Sequence, residues 1–170
     1  MNYALFIGRF QPFHNAHLEN IKNILKENGN IAIAIGSSQK KNTFDNPFSF
    51  KERRDMITEV LKNQKIKNFS IAPIPDLYDD RKWVSYIKQK IRQFDIVYSG
   101  NSWTLKCFKK FDFEVRKIKL IKGLSSTLIR ERIVRNEDWK SSVPREIFIH
   151  LKKIDGVRRI KRLALKNKIF

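Results

Sequence analysis

The feature that most constrains the fold of this chain is a regular alternation of short apolar runs with segments of helical periodicity. The first run, Tyr3–Ile7, is apolar throughout and ends at a glycine, which is typical of a strand buried on both faces. Apolar side chains then recur at helical spacing up to Gly29, which stands where a C-terminal helix glycine belongs. A second apolar run follows at Ile31–Ile35. Strands that alternate with helices in this way predict a parallel sheet.

Three more predicted strands continue the alternation. They lie at "FSIAPIP", which ends at Pro73 and Pro75, at "DIVYSG", which ends in Gly100, and at Phe113–Ile118. Segments with apolar stripes at helical spacing separate these strands, and further helices close the chain. We therefore predict an α/β fold with a doubly wound, mostly parallel, five-stranded Rossmann-like sheet and C-terminal helices.

Local signals predict several helix boundaries. Ser49 and Glu52 have the spacing of a capping box, so a helix is predicted to start there. Pro144 is predicted at the first position of a later helix, and Gly156 is predicted to separate that helix from a final basic one. We expect the whole chain of 170 residues to form a single domain, with a helical extension from about residue 144 onward.

Composition and charge narrow the class of protein. Apolar residues make up 41% of the chain, yet no run of about 18 of them occurs, so no membrane span is predicted. Cys107 is the single cysteine, and Met1 and Asn2 lead directly into the first strand; we therefore expect a cytoplasmic protein without disulfides or a zinc site. The net charge of +19 is compatible with nucleic acid, with phosphorylated substrates or with a basic proteome. Because no aromatic platform or RNP-like motif is present, nucleic acid is the less favoured partner.

Polar segments follow each of the first four predicted strands. They are "GRFQPFHNAH", "GSSQ", "PIPDLYDD" and "SGN". In a doubly wound sheet, ligands bind at the carboxyl ends of the strands, so we expect the functional residues to lie in these segments.

The segment after the first strand has the features of a phosphate site. A helix that begins near Asn15 would direct His14 and His17 to its positively polarised end, where free amides attract phosphate. Arg9, directly after Gly8, adds a guanidinium that can donate two hydrogen bonds to one phosphate. The histidines are too close in sequence to form the zinc pair of an HExxH helix, and no nearby cysteine completes a metal set, so no protein metal site is predicted.

A second phosphate motif is predicted in "LSSTLIRER". Ser125, Ser126 and Thr127 offer hydroxyls and free amides where a helix opens at Ser125 or Ser126. Arg130, one turn further on, is predicted to point back towards the bound phosphates. Taken alone, a serine or threonine three residues before an arginine is also a common capping pattern.

Together these two motifs identify a family resemblance. "GRFQPFHNAH" resembles the (H/T)xGH signature of the nucleotidylyltransferase superfamily, with Ala16 in place of its glycine, and "LSSTLIRER" resembles the ISSTxxR signature. Within that superfamily the chain is similar, over nearly its whole length, to archaeal-type nicotinamide mononucleotide (NMN) adenylyltransferases. Further matching segments include "NPFSFKERRDMI", "WVSYIK", "FDIVYSGN" and "DGVRRIKRL".

The resemblance implies a reaction in NAD biosynthesis. ATP and NMN are the expected substrates, and NAD and pyrophosphate the expected products. The 5′-phosphate of NMN attacks the α-phosphorus of ATP in line, without a covalent enzyme intermediate, and Mg²⁺ is the expected cofactor, held by the ATP phosphates. Relatives assemble as hexamers, so a homo-oligomer is expected.

The resemblance also assigns roles to individual residues. The catalytic residues would be His14, His17, Arg9 and Arg130. ATP would contact Gly8, Arg9, Phe10, His14, His17, Gly100, Asn101, Ser125, Ser126, Thr127 and Arg130. NMN would contact Ser37, Arg53, Asp76, Asp80 and Trp83, with the tryptophan stacked on the nicotinamide ring. A tryptophan buried in the core is the structural alternative for that last residue.

Two departures from the family pattern concern charge. Asp80 stands where relatives have an asparagine that binds the carboxamide. Asp45 lies in a loop where some relatives have a phosphate-binding arginine, which Lys40 or Lys41 would replace. Three other functions remain open at this point: adenylylation of phosphopantetheine or flavin mononucleotide by the same fold, nucleic-acid binding by a basic Rossmann-like scaffold, and a structural role with a degenerate site.

Overall fold

A computed structural model, which describes residues 3–169, contains a five-stranded sheet in which every neighbouring pair is parallel. The strands are β1 Tyr3–Gly8, β2 Asn30–Ile35, β3 Phe69–Pro73, β4 Ile96–Ser99 and β5 Glu114–Lys117. Their order across the sheet is β3-β2-β1-β4-β5. The chain first winds outwards from β1 to β3, then returns beside β1 and winds outwards again to β5. The predicted doubly wound α/β fold is confirmed.

Seven α-helices accompany the strands among the described residues. They are α1 Asn15–Asn28, α2 Phe50–Asn63, α3 Asp80–Lys90, α4 Ser102–Lys109, α5 Ser126–Val134, α6 Arg145–Lys153 and α7 Gly156–Lys166. The predicted capping box is confirmed, because the Ser49 hydroxyl accepts from the Glu52 amide and the Ser49 amide donates to the Glu52 carboxylate. Gly29 ends α1 with a φ of 84°, a conformation that glycine adopts without strain.

Two predicted boundaries near the C-terminus are wrong by a residue or two. Pro144 lies just before α6, with an extended ψ of 149°, and so precedes its first helical residue. Gly156 is itself the first residue of α7, and the break before it falls at Ile154 and Asp155. Gly156 is needed for packing, since a Cβ there would lie 2.9 Å from Cδ2 of Leu151.

The chain divides into two compact units. One, called the sheet unit here, comprises the described residues up to Arg9, Glu19–Ser38 and Lys67–Leu120. The other, called the helical unit, comprises Phe10–Leu18, Gln39–Ile66 and the described residues from Ile121 onward. The single domain expected from the sequence stays a prediction.

Within the sheet unit, helices pack on both faces of the sheet. Leu5, Ala32 and Val97 lie in one apolar cluster with side chains of α3 and α4. Tyr98 points to the opposite face, where its hydroxyl accepts a hydrogen bond of 3.1 Å from Asn28 of α1. Val97 and the next residue, Tyr98, face opposite sides of the sheet because side chains alternate along a strand.

The described helices do not include one that is both long and apolar enough to span a membrane.

Candidate active site

The first predicted motif forms the start of α1, which begins at Asn15 as predicted. The His14 amide donates a hydrogen bond of 3.2 Å to Nδ1 of His17. His17 therefore satisfies one of the free amides at the helix end, as the glutamate of a capping box does.

The two imidazoles stack on each other, with centroids 3.5 Å apart and planes 17° from parallel. Phe10 contacts the His17 ring edge-on at 4.8 Å, and Phe13 lies 5.4 Å from it. Burial lowers the pKa of His14 to about 4. Burial, with the adjacent His14 as a second cause, lowers the pKa of His17 well below its usual value. Both rings are therefore neutral at pH 7.

The hydrogen-bond partners indicate which ring nitrogens of the two histidines are available for a ligand. Because Nδ1 of His17 accepts from a backbone amide, we assign the proton of this neutral ring to Nε2. Nδ1 of His14 is buried and has no hydrogen-bond partner among the described residues. A buried polar atom without a partner costs free energy, which a ligand that bonds to it recovers.

Side chains of the second motif bond directly to the backbone of the first. The Ser126 hydroxyl donates to the Pro12 carbonyl at 2.9 Å. Nη1 of Arg130 donates to the Gln11 carbonyl, also at 2.9 Å. Residues of the two predicted phosphate motifs, more than a hundred positions apart in sequence, are thus brought together within the helical unit.

Arg130 is fully buried, and its guanidinium makes further contacts. Nη2 lies 3.1 Å from Oδ1 of Asp45 and 3.4 Å from Oγ1 of Thr127. The Phe44 ring lies against the guanidinium at 5.3 Å. The departure at Asp45 therefore supplies the acidic partner of the arginine that sequence analysis assigned to phosphate.

Ser125 is the N-cap of α5, because its hydroxyl accepts from the Leu128 amide. This settles the start of the helix, which begins at Ser126. Capping by Ser125 is compatible with the predicted phosphate contacts, since the remaining amides of the first helical turn have no intrahelical acceptor.

Gln11 is a site residue that sequence analysis missed. It is buried, its side-chain amide donates to the Phe48 carbonyl at 2.9 Å, and its side-chain carbonyl accepts from the Phe48 amide at 3.0 Å. This pair of bonds ties the first motif to the loop before α2. A polar residue among the apolar side chains of "FQPF" was the available signal.

In the sheet unit, the segments after the first three strands are joined to one another. The Gly36 amide donates to the Gly8 carbonyl at 2.9 Å. The Ser37 hydroxyl donates to Oδ1 of Asp76 at 2.9 Å, and the Ser38 amide donates to the Ile74 carbonyl. Ser37 and Asp76, both assigned to NMN, are thus adjacent.

The segment after β4 is held by side-chain hydrogen bonds. The Ser99 hydroxyl donates to the Ile7 carbonyl and accepts from the Asn101 amide. The Asn101 side chain accepts from two amides at the start of α4 and is its N-cap. Gly100 allows a close approach, because a Cβ there would lie 3.3 Å from Cδ1 of Ile118.

Trp83 is a core residue, only 4% exposed. Its Nε1 donates to the Pro75 carbonyl, and Phe108 packs edge-on against its ring at 5.8 Å. Trp103, which sequence analysis did not single out, lies 5.0 Å from the Trp83 ring and is 47% exposed. Of this tryptophan pair, Trp103 presents the larger accessible surface.

The charged residues assigned to the substrates differ in exposure. Asp80 forms an ion pair of 2.9 Å with Lys110, and the hydrogen bond from this lysine lowers the pKa of the carboxyl. Arg9 is exposed at the end of β1. Arg53, in the helical unit, is fully buried, and its Nε donates to the Ser49 carbonyl at 3.3 Å.

Among residues 3–169, no three histidine, cysteine, aspartate or glutamate side chains are grouped so as to hold one metal ion.

Fold and site together define a class of proteins that transfer nucleotidyl groups, and the model of the cytidylyltransferase-like family matches residues 5–132. Curated relatives include the nicotinamide-nucleotide adenylyltransferase of Methanococcus aeolicus, 46% identical over 96% of each chain. Another, with the same name, is from Thermoplasma acidophilum and is 40% identical over 95% of this chain and 91% of its own. The chain therefore belongs to the cytidylyltransferase-like family and, within it, to the nicotinamide-nucleotide adenylyltransferases, which confirms the resemblance inferred from its motifs.

A solved structure agrees with this assignment. The bifunctional NMN adenylyltransferase/ADP ribose pyrophosphatase of Francisella tularensis, complexed with AMP and a manganese ion, superposes with a TM-score of 0.82 at 25% identity. The match covers 98% of this chain but 53% of that protein, so the chain spans about half the length of the bifunctional enzyme.

Proposed function

We propose that this chain transfers the AMP group of ATP to NMN, giving NAD and pyrophosphate. The observation that most supports this function is the joining of the two phosphate motifs, through the bonds from Ser126 to Pro12 and from Arg130 to Gln11. These bonds hold the stacked histidine pair and the start of α5 in one cluster of groups that can donate hydrogen bonds to phosphate.

The chemical step is an in-line displacement. A 5′-phosphate oxygen of NMN forms a bond to the α-phosphorus of ATP, and the bond to the oxygen that bridges to the β-phosphorus breaks, releasing pyrophosphate. The attacking phosphate is ionised at pH 7, so the step needs no general base. Catalysis then comes from positioning and from stabilisation of negative charge on the phosphate oxygens.

The two histidines donate hydrogen bonds to those oxygens as neutral rings. Nε2 of His17 donates to the triphosphate, because its Nδ1 is occupied by the His14 amide. His14 lies stacked on it and contacts the same group, and the bound negative charge raises the pKa of both rings. Arg9 and Arg130 supply fixed positive charge.

The remaining assignments follow the family motifs. ATP is proposed to contact Gly8, Phe10, Gly100, Asn101, Ser125, Ser126 and Thr127 as well. NMN is proposed to contact Ser37, Arg53, Asp76, Asp80 and Trp83. The bond between Ser37 and Asp76 supports the second set. Trp83 is only 4% exposed, so its contact with NMN is proposed on the family motif alone.

Covalent catalysis by the single cysteine is disfavoured. Burial is the main cause that raises the pKa of the Cys107 thiol to about 11, so the thiolate is scarce at pH 7. Direct transfer between the two substrates is the simpler path.

A divalent cation, Mg²⁺, is proposed to bind with ATP. Magnesium takes most of its ligands from phosphate oxygens and water, and it would neutralise charge on the triphosphate. The neutral histidines and the arginines are hydrogen-bond donors, so they complement the phosphate oxygens rather than the ion.

The test is to measure product formation from ATP and Mg²⁺ with NMN, nicotinic acid mononucleotide, flavin mononucleotide and 4′-phosphopantetheine in parallel. NAD formed from NMN at the highest kcat/KM supports the proposal. Transfer to one of the last two acceptors alone would replace it by another activity of the same fold. Absence of transfer to any acceptor would contradict it.

Two features of the whole protein are also proposed. The chain is expected to act in the cytoplasm, because Cys107 is its single cysteine, and, on the family resemblance alone, to assemble as a homo-oligomer, a hexamer in relatives. Sedimentation velocity on the full chain tests the second expectation, and a monomer at micromolar concentration would contradict it.

A further inference from the structure

Arg159 is an arginine of α7 whose guanidinium contacts the loop before α2. Its Nη1 donates to the Pro47 carbonyl at 3.2 Å and lies 2.8 Å from Oε1 of Glu52. Its Nη2 donates to the Ile154 carbonyl, and the guanidinium lies 5.8 Å from the centre of the Phe48 ring. Only 20% of the side chain is exposed. One largely buried guanidinium thus fixes the loop before α2 against the start of α7.

The carboxylate of Glu52 strengthens this attachment. Its Oε2 accepts from the amide and from the hydroxyl of Ser49, while its Oε1 pairs with Arg159. Burial acts to raise the pKa of the Glu52 carboxyl, but hydrogen bonds from the Ser49 amide and from Arg159 outweigh it and lower that pKa. Glu52 is therefore charged at pH 7. Removal of one partner from a largely buried ion pair leaves the other charge poorly solvated, so substitution of Arg159 is expected to weaken the packing of the loop.

Phe48 connects this attachment to the histidine motif. Its ring contacts Arg159, and its backbone amide and carbonyl bond to the Gln11 side chain at 3.0 and 2.9 Å. Phe48 and Gln11 are both buried. The Gln11 carbonyl in turn accepts from Nη1 of Arg130 at 2.9 Å. Contacts within the helical unit therefore lead from Arg159 through Phe48 and Gln11 to Arg130.

The other end of the same loop contacts Arg130 directly. Thr43 and Asn46 exchange two backbone hydrogen bonds, of 3.3 and 3.2 Å, which close this part of the loop into a turn. Between them, Oδ1 of Asp45 lies 3.1 Å from Nη2 of Arg130, and the Phe44 ring lies 5.3 Å from its guanidinium. The loop 43–48 is therefore held by Arg130 at one end and by α7 at the other.

We propose that Arg159 is a positioning residue for the reaction: it fixes Phe48, and through the Gln11 side chain it keeps Arg130 and the segment before His14 in the geometry that binds the triphosphate. This inference rests on the proposed function and adds a residue of α7 to it. Arg159 acts through Phe48 and Gln11, whereas Arg130 and the histidines are the groups proposed to contact ATP. Displacement of such a group by about 1 Å can lower a rate by about 10²-fold, so contacts behind the site are enough to affect catalysis.

The first experiment substitutes Arg159 and the arginine beside it. Arg159→Met removes the contacts to Pro47 and Glu52, and we expect kcat/KM for ATP to fall by about tenfold or more. Arg158→Met is the matched control, because that side chain is 85% exposed and lies 3.7 Å from Oδ1 of Asp155. Its kcat/KM for ATP is expected to stay unchanged.

Two readouts distinguish positioning from a loss of stability. Arg159→Lys keeps the positive charge beside Glu52 but lacks the planar fork of donors, so kcat/KM for ATP is expected to recover in part. KM for NMN is expected to stay unchanged in both variants, because Ser37 and Asp76 are joined by a bond of their own. Thermal melting sets an assay temperature at which every variant is folded. Arg159→Lys also provides the test if Arg159→Met does not fold.

A double-variant cycle tests the path through Gln11. Gln11→Met removes both bonds to Phe48 with little change in size. If Arg159 acts through these bonds, adding Arg159→Met to Gln11→Met lowers kcat/KM for ATP little further, whereas independent effects multiply. Gln11→Glu, which keeps the acceptor for the Phe48 amide, replaces Gln11→Met if that variant does not fold.

The outcomes separate this inference from the function on which it rests. An unchanged kcat/KM for ATP in the folded Arg159 variants would overturn the proposal, as would an equal loss in Arg158→Met. Effects of Arg159→Met and Gln11→Met that multiply in full would overturn the path through Gln11. In each of those cases the unaltered protein still forms NAD; its failure to adenylylate NMN would instead remove the function itself.

Discussion

At the scale of single residues, His17 has one role in the helix and is proposed to have another towards the substrate. Nδ1 of His17 accepts from the His14 amide, and Nε2 is the nitrogen proposed to donate to a phosphate. Substitution can separate these two functions, because an asparagine oxygen can replace Nδ1 as acceptor without replacing the Nε2 donor.

His17→Asn is accordingly expected to lower kcat by about 10²–10³-fold, the range for the loss of one preorganised donor, with little change in melting temperature. His17→Ala removes both bonds and is expected to lower kcat and stability together. Steady-state kinetics and thermal melting of both variants provide the check. A kcat within threefold of the unaltered protein in His17→Asn would show that Nε2 does not act on the phosphates.

The contact between Arg130 and Asp45 leads to a second prediction. In the proposed function, ATP competes with Asp45 for Nη2 of the arginine, and the carboxylate is 71% exposed, so the ion pair is weak. Asp45→Asn is expected to lower KM for ATP about two- to fivefold. Asp55→Asn, which removes a carboxylate on α2 that is 35% exposed and paired with Lys51, is the control with unchanged KM. An increase of KM in Asp45→Asn would mean that Asp45 positions the arginine instead of competing for it.

At the scale of elements, the start of α1 makes stability depend on pH. Histidine in an unfolded chain has a pKa near 6.5, whereas burial lowers that of native His14 to about 4. Between these values the unfolded chain binds more protons than the native one. The free energy of unfolding therefore falls as pH decreases from 6.5 towards 4. The contribution of His14 to stability is roughly 3 kcal/mol; it is complete above pH 6.5 and is lost by about pH 4.

Urea unfolding between pH 7 and 5 measures this effect. His14→Asn is expected to have a shallower pH dependence over that range than the unaltered protein. Identical slopes in the two proteins would show that His14 titrates alike in both states.

The junction of α6 and α7 depends on the absence of a side chain at Gly156. A Cβ there would lie 2.9 Å from Cδ2 of Leu151 and 3.0 Å from Cε1 of Phe48, and both of these side chains are fully buried. Gly156→Ala is expected to destabilise the protein by about 1–3 kcal/mol through overpacking. Leu165→Ala, at an exposed position of the same helix, is the comparison and is expected to cost much less. Equal melting temperatures for the two variants would contradict the packing argument.

At the scale of the whole molecule, local patterns predicted the alternation of strands and helices well. The apolar runs at β1 and β2 and the capping box before α2 need only neighbouring residues to form, so they can be recognised in the sequence. Boundaries that depend on packing were less accurate. Gly156 was predicted to separate two helices but is the first residue of α7, where Leu151 and Phe48 leave no room for a larger residue.

Some features of the candidate site could likewise be predicted from the sequence, whereas others could not. Both phosphate motifs were recognisable because their chemistry depends on residues within one helical turn. The buried hydrogen bonds of Gln11, the ion pair of Arg130 with Asp45 and the exposure of Trp103 were not, because each involves partners far away in sequence.

The sequence by itself determined the order of the elements, the parallel sheet and the family motifs, since these follow from local periodicity and from residue types at fixed spacing. Only the tertiary structure decided the neutral state of His14 and His17, the acidic partner of Arg130, and which of Trp83 and Trp103 is exposed. Protonation, pairing and exposure depend on burial, and burial is set by residues that the fold brings together from distant parts of the chain.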